Sequence, residues 1–261
     1  MRKGIRLTLD YLKFNFMSAM EYRTAFILQM LGMALNDLAL LFFWGVFYTQ
    51  FSALNGWSLR DVLTLYALVA ATFGVCNVLF GNGFALARII ATGGLDYYLA
   101  LPASPLLHVL VSHMEVSAWG DLLFGVVLFA SLWGAQPGAW LLFLLAAVLG
   151  PAVMVSFAVA AGSLAFFLGN AEALAAQGQN AIVSFSMYPV DVFPVAVRLI
   201  LFTLIPAAFL SSIPAGLVRG FDWGARVLYA VGALSIVLAA RAIFYGGLRR
   251  YESGNLVVAR L

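Results

Sequence analysis

The chain has 261 residues, of which 64% are hydrophobic and 10% are charged, and its mean hydropathy is +1.01. Soluble proteins carry about 25% charged residues, and a soluble globule of this length could not hide so much apolar surface. The formal net charge of +3 is too small for a surface that binds nucleic-acid phosphates. Composition therefore predicts a membrane protein and excludes a soluble enzyme, a nucleic-acid binder and a disordered protein.

The first residues have the pattern of a helix that lies in the membrane interface. Ile5, Leu9, Leu12 and Phe16 recur at helical spacing, and charged residues with a basic excess follow the same spacing on another face. Such a helix is attracted to the anionic lipid of the cytoplasmic leaflet. We therefore predict an interfacial helix over residues 2–22.

Six apolar runs follow, each long enough for a helix to cross a hydrocarbon core of roughly 30 Å. They cover residues 24–49, 61–84, 109–133, 139–168, 195–218 and 225–245. Basic residues cluster before Arg23 and in the tail, 246–261, whereas the connectors at 50–60 and 134–138 hold one arginine and none. Because Lys and Arg near span ends favour the cytoplasm, we predict cytoplasmic termini and an even number of spans within one membrane domain, 1–261.

The stretch between residues 169 and 223 permits two interpretations. In one, 195–218 is the fifth span and the residues before it form a loop. In the other, 172–189 is a short, polar fifth span, and 194–217 enters and leaves the membrane from the outer face as a re-entrant hairpin. Four prolines in this stretch, each of which removes a helical hydrogen-bond donor, favour the second interpretation.

Enzyme motifs are absent from the sequence: it has no nucleotide-binding P-loop, no metal-ligand pattern and no candidate catalytic residue. Polar residues inside spans are costly in lipid and mark either a transport path or interhelical hydrogen bonds. The candidates for lining a path are Asn36, Asp37, Asn77 and Gln177. An ion-coupled secondary transporter or channel would instead use Asp37, Glu115 and Asp121, and a membrane scaffold without transport is a third possibility.

The most specific segment lies between the second and third spans, at residues 93–106. Its glycines end the helix of the second span, the next residues form a short amphipathic turn, and Ser104-Pro105 starts the following helix. A short apolar-faced helix at the cytoplasmic surface suits docking into a groove of a partner protein. Leu95 and Leu99 are one i,i+4 step apart, and we predict that one groove takes both.

This segment resembles the first cytoplasmic loop of the type-2, export-class ABC-transporter permeases, in the six-span subgroup whose loop reads Gly-x-Leu-Asp-x-x-Leu-x-x-Pro. Further matches, in the family's order and spacing, are Phe167-Leu168-Gly169-Asn170, Tyr188-Pro189-x-x-x-Phe193-Pro194, Ile205-Pro206-Ala207-Ala208-Phe209 with Pro214, and Arg249-Arg250-Tyr251-x-Ser253. The chain departs from the pattern at Ala196-Val197, where such permeases tend to carry a tryptophan or a second aliphatic residue. The resemblance covers nearly the whole chain.

The resemblance implies an all-α membrane fold with an N-terminal elbow helix, six transmembrane helices, a coupling helix between spans two and three and a re-entrant hairpin before span six. It also implies that this chain is the permease subunit of an ATP-driven exporter in the inner (plasma) membrane. A second permease, identical or related, would complete the pathway, and two cytoplasmic ATPase subunits would bind ATP and Mg²⁺, which this chain would not.

The resemblance also implies roles for particular residues. Those expected to couple to the ATPase are Gly94, Leu95, Asp96, Leu99, Pro102 and Pro105, and those expected to shape the hairpin are Tyr188, Pro189, Phe193, Pro194 and Pro206. No span carries a dense ring of charge, so we expect an amphipathic substrate such as a drug, a peptide or a lipid.

Overall fold

The computed structural model describes residues 2–220 and 222–252, and most of these residues are helical. Within these ranges it contains α-helices, short 3₁₀ turns and no β-strand. The α-helices are α1 Arg2–Ala19, α2 Arg23–Gln50, α3 Leu59–Phe80, α4 Leu86–Ala91, α5 Leu95–Leu99, α6 Pro105–Val111, α7 Ala118–Trp133, α8 Pro137–Ser163, α9 Ala165–Leu168, α10 Glu172–Ser186, α11 Val195–Thr203, α12 Ser212–Arg219 and α13 Trp223–Leu248. The all-helical prediction is confirmed, and the tail positions 253–261 lie outside the described residues.

Four helical stretches of the described chain are long and apolar enough to cross a membrane. They are Lys3–Gln50, Leu59–Phe80, Pro137–Leu168 and Trp223–Leu248. The pair α11 and α12 would form a fifth, but the chain bends by 73° between them. The helices α7 and α10 are shorter, with 16 and 15 residues. The chain is thus a multi-pass helical membrane protein.

The prediction of one continuous third span over 109–133 is wrong. The chain leaves the helix between α6 and α7, at residues 112–117. The backbone N–H of Glu115, in this break, donates to the carbonyl of Asn77 on α3 over 3.1 Å. The short α6 instead packs beside α1, where the hydroxyl of Tyr11 lies 3.1 Å from Nδ1 of His108.

The helix α3 is the centre of the bundle, and most of its side chains are buried. It packs most extensively against α7 and α8. On the α7 side the contact is made by small residues, because Ala67 and Ala71 face Gly125. In lipid, where apolar side chains gain little by leaving the solvent, such close backbone approach is a main source of helix association.

We expect Gly125→Val to destabilise this contact. A Cβ at position 125 would lie 2.6 Å from the backbone nitrogen of Ala71 and 2.7 Å from the carbonyl oxygen of Ala67. Overpacking of this kind costs about 1–3 kcal/mol. The measurement is the fraction of purified protein that stays monodisperse after a heating series.

Gly246→Val in α13 is the control, since a Cβ there would meet no atom within 4 Å. Equal loss of monodisperse protein in the two variants would contradict the packing assigned to α3 and α7.

Candidate transport cleft and coupling segment

A cleft of about 450 Å³ lies between α2 and the end of α10. Its lining residues are Asn36, Ala39, Leu40, Phe43, Tyr66 and Met187. Tyr66 comes from the central helix α3 and is buried, so it forms the inner wall of the cleft. The lining combines one amide and one phenol with aliphatic, aromatic and thioether groups, which suits a ligand with polar and apolar parts.

A buried carboxyl group lies directly behind this inner wall. The hydroxyl of Tyr66 donates to Oδ1 of Asp37 over 3.2 Å. Asp37 is 4% exposed, although it lies on α2, whose other residues apart from Trp44 are at least partly exposed. Asp121 of α7 lies within hydrogen-bonding reach of Asp37. Asp37 therefore lies behind the surface of the cleft and does not line it.

The structure does not bring all the predicted path residues together. Asn36 lines the cleft, and Gln177 lies on an exposed face of α10 together with Asn180. The amide of Asn77 instead donates to the carbonyl of Phe73 on its own helix over 3.0 Å. The three acids of the ion-transport alternative are also divided. Asp37 contacts Asp121, whereas Glu115 accepts a hydrogen bond from Ser117 and lies 3.9 Å from His113.

The segment at residues 93–106, which we call the coupling segment after its predicted role, contains the short helix α5 with one buried and one exposed side. Gly93 has φ +75°, a conformation that favours glycine, and it follows the end of the short helix α4. The prediction that the glycines of this segment end the helix of the second span is wrong, because α3 already ends at Phe80. Leu95 is fully buried among α4 and α6, whereas Leu99 is 41% and Tyr97 is 66% exposed. The prediction that Leu95 and Leu99 enter one docking groove together is therefore wrong. Leu95 holds the segment on the bundle, and Tyr97 joins Leu99 on the exposed side.

Hydrogen bonds connect this segment to the C-terminal end of α3. The hydroxyl of Tyr98 lies 3.1 Å from Oγ of Ser112, in the break between α6 and α7. The amide of Asn82, just beyond α3, donates to the same Oγ over 2.8 Å. Ser112 thus joins the coupling segment to the central helix.

The end of α13 holds the other side of the segment. Oγ of Ser104, which also accepts from the backbone N–H of Leu107 as the cap of α6, lies 2.9 Å from the hydroxyl of Tyr245. Pro105 follows at the first position of α6, as predicted. Beyond α13, burial raises the pKa of the Tyr251 hydroxyl to about 12, and its interaction with Asp96 acts in the same direction. The coupling segment is therefore fixed to three elements of the bundle.

At the opposite end of α3, a loop binds the region between α10 and α12 through Asp191. Nε1 of Trp57 donates to Oδ2 of Asp191 over 2.9 Å, and the amide of Asn55 donates to its carbonyl over 2.9 Å. The guanidinium of Arg198 completes the cluster, with Nη1 3.3 Å from Oδ1 of Asp191 and Nη2 2.9 Å from its carbonyl oxygen.

The same loop also binds the end of α12. Nε of Arg219 lies 3.2 Å from Oδ1 of Asp61, and its Nη2 donates to the carbonyl of Gly56 over 3.0 Å. Its guanidinium lies 4.8 Å from the ring centre of Trp57. Asp61 in turn caps α3 by accepting from the backbone N–H of Ser58. The start of α11 and the end of α12 are thus held by one loop (residues 51–58), which we call the outer loop after its predicted position.

The residues predicted to shape the hairpin lie around this loop and the bend. Tyr188 contacts the ring of Trp44 on α2, with 5.9 Å between ring centres, and Pro189 precedes a 3₁₀ turn. The carbonyl of Phe193 accepts from Nε of Arg198, and Pro194 directly precedes α11. Pro206 lies at the bend between α11 and α12.

Residues 34–254 match the profile of a family described as ABC-2 family transporter protein. The chain belongs to the ABC-2 transporter family. It is therefore a membrane permease of an ABC transporter, a class of subunit that typically lacks its own nucleotide-binding site and works with an ABC ATPase subunit. No curated protein and no solved structure matches the chain.

The structure reveals residues of this permease that the sequence did not single out for any role. Asp61 pairs with Arg219, and Asp191 pairs with Arg198. Asp61 lies more than a hundred positions from its arginine, and Asp191 lies in a loop that carried no other signal in the sequence. Tyr66 could not be recognised as a cleft residue from the sequence, because a tyrosine in an apolar run is usually part of the hydrophobic core. Within the described ranges, no group of three or more His, Cys, Asp or Glu residues could hold a metal ion.

We expect Arg219→Gln to lower the thermal stability of the permease. The change removes an ion pair, worth up to about 1 kcal/mol, and a cation–π contact of about 0.5–1 kcal/mol. At about 2–4 °C per kcal/mol for a chain of this size, the Tm should fall by roughly 1–8 °C. Arg6→Gln is the control, because Arg6 and its partner Asp10 are both largely exposed. An unchanged Tm for Arg219→Gln would contradict the network assigned to the outer loop.

Proposed function

We propose that this ABC-2 permease is the membrane subunit of an ATP-driven exporter for an amphipathic substrate, such as a drug, a peptide or a lipid. Two permeases, identical or related, form the pathway, and two cytoplasmic ATPase subunits bind ATP and Mg²⁺. Membership of the ABC-2 family supports the partnership with an ATPase. The export direction and the pairing of subunits follow from the resemblance of the 93–106 loop to export-class permeases.

The observation that carries this proposal is the exposed apolar edge of the coupling segment. The segment presents Tyr97, Leu99 and Pro102 outwards, while Leu95 and Tyr98 fix it to the bundle. A groove on the ATPase covers the exposed apolar edge. Because the segment is attached to α3, its displacement on ATP binding moves a helix that reaches the cleft through Tyr66. ATP drives transport to the extent that it binds the two states of the complex with different affinity.

The cleft supplies the transport path in this proposal. Asn36 on α2 and Gln177 on α10 are polar residues on exposed helix faces, where contact with lipid would be unfavourable. The second permease and the path between the two copies cover these faces. Asp37 and Tyr66 form the wall behind Asn36, and Asn77 contributes to packing rather than to the path.

The topology that fits this function has six spans and cytoplasmic termini in the inner membrane, with α11 and α12 as a re-entrant hairpin. Support for the hairpin comes from the two arginines at its ends, since Arg198 and Arg219 both bind around the outer loop. A straight helix over the same residues would separate them by about 30 Å. We assign the elbow to α1, which a 3₁₀ turn at Met20–Tyr22 separates from α2 within the helical stretch Lys3–Gln50.

We expect Leu99→Glu to release the ATPase while the permease remains folded. Burial of one leucine at a protein contact contributes about 1.5–3 kcal/mol, which is a factor of roughly 10 to 100 in affinity. The measurement is the amount of ATPase subunit recovered with tagged permease from membranes that contain equal amounts of each variant.

Leu95→Ala is the matched control, because Leu95 faces the bundle. This variant should lower the free energy of unfolding by about 2–5 kcal/mol, and with it the Tm. It should still recover ATPase in proportion to the amount of folded permease. Recovery of the same amount of ATPase with Leu99→Glu as with wild type, together with unchanged ATP-dependent transport, would show that the segment does not dock the ATPase.

Cysteine labelling tests the topology in a variant in which the one native cysteine is replaced, Cys76→Ala. In intact cells a membrane-impermeant maleimide should react with Asn55→Cys, Arg198→Cys and Arg219→Cys. It should not react with Lys3→Cys until the membrane is opened. Labelling of Lys3→Cys from outside would overturn the orientation, and labelling of Arg198→Cys from the cytoplasm alone would overturn the hairpin.

A further inference from the structure

Two aspartates on neighbouring helices meet behind the cleft. Asp37 of α2 and Asp121 of α7 are 4% and 6% exposed, and their carboxyl groups lie within hydrogen-bonding reach of each other. The close approach of the helices brings them together. A Cβ at Gly120 would overlap the carbonyl oxygen of Met30, so α7 touches the backbone of α2 one residue before Asp121. The contact is therefore part of the helix packing.

The hydrogen bonds of this pair are incomplete. Oδ1 of Asp37 accepts from the hydroxyl of Tyr66, but Oδ2 is buried and has no hydrogen-bond partner among the described residues. Tyr66 of α3 and Asp121 of α7 are the titratable groups that face Asp37 from the helices packed on it. Within the described ranges, no Lys, Arg or His forms an ion pair with either aspartate, and no third ligand completes a metal site.

A single bound proton relieves the repulsion between these two carboxyl groups. Two ionised carboxylates in contact repel each other, and an unpaired charge away from water is strongly unfavourable. Paired carboxyl groups elsewhere avoid this by sharing a proton, as the aspartic proteases do. A proton on one of the two carboxyl groups here removes one charge and provides a hydrogen bond between Asp37 and Asp121.

We propose that Asp37 and Asp121 bind a single proton between them and that this proton holds α2 against α7 behind the cleft. Tyr66 is the connection to the cleft, because it lines the cleft and donates to Asp37 at the same time. A movement of α2 away from α7 would open the carboxyl pair to water and release the proton. The link to transport rests on the proposed function, whereas the proton itself is measured on the full-length permease alone.

Infrared spectroscopy of the purified permease in lipid vesicles at neutral pH tests this proposal. Wild type should show the carbonyl band of one protonated carboxyl group per chain, and the band should move to lower frequency in D₂O. Asp37→Asn and Asp121→Asn should each lose the whole band, because the new amide supplies the hydrogen bond and the remaining aspartate ionises. Tyr66→Phe should keep the band at a changed frequency, since a donor to Asp37 is lost.

Asp10→Asn is the control and should leave the band unchanged, because Asp10 is largely exposed on α1. Absence of the band from wild type would overturn the proposal without reference to any variant. Persistence of the band in either Asn variant would also overturn it, since one aspartate would then hold the proton without the other. Neither result depends on the ATPase, so failure here is distinguishable from failure of the Leu99→Glu experiment.

Discussion

Scarcity of water around the polar groups is the constraint on which this structure depends. In a bundle surrounded by lipid, a buried hydroxyl or carboxyl group must find its partner inside the protein, and partly exposed charged groups at the ends of helices are paired as well. The chain has few charged residues, and several of them connect elements far apart in sequence. Arg198 and Asp191 hold the start of α11. Arg219 and Asp61 hold the end of α12, and Tyr66 joins α3 to α2 through Asp37.

These contacts give the two ends of α3 different partners. At one end, Asp61 of α3 and Trp57 of the outer loop bind Arg219 at the end of α12, and Trp57 also binds Asp191 before α11. At the other end, Asn82 and Ser112 join α3 to the coupling segment. Tyr66 lies between these ends, at the cleft. In the proposed mechanism, a displacement of the coupling segment therefore reaches the cleft through one buried helix.

Local patterns in the sequence predicted the long apolar helices and the start of α6 well. The spans at α2, α3, α8 and α13 follow from apolar length, and Ser104-Pro105 starts α6 as its capping chemistry indicates. The break at residues 112–117 was not predictable in this way, because it depends on a hydrogen bond between Glu115 and Asn77 on another helix. The direction of Leu95 was also missed, since its burial is decided by α4 and α6 rather than by the short helix itself.

The residues of the candidate site were also predicted only in part. Polar residues in apolar runs identified Asn36 and Asp37, but only the packing of helices separates the residue in the cleft from the residue behind it. The prolines around α11 and α12 were visible in the sequence, whereas the acid that binds Arg219 was not, since Arg219 and Asp61 are more than a hundred positions apart. Long-range polar pairs leave no periodic signal in a single sequence.

Site-specific photocrosslinking in the assembled complex tests the central claim most directly. A photoreactive amino acid at position 97, on the exposed side of α5, should crosslink the ATPase subunit, and the yield should change when ATP is added. The same probe at Tyr22, which is similarly exposed but lies near the start of α2, should give no ATPase adduct. Absence of an adduct at position 97 in a complex that still hydrolyses ATP would contradict the account, because the ATPase would then dock elsewhere.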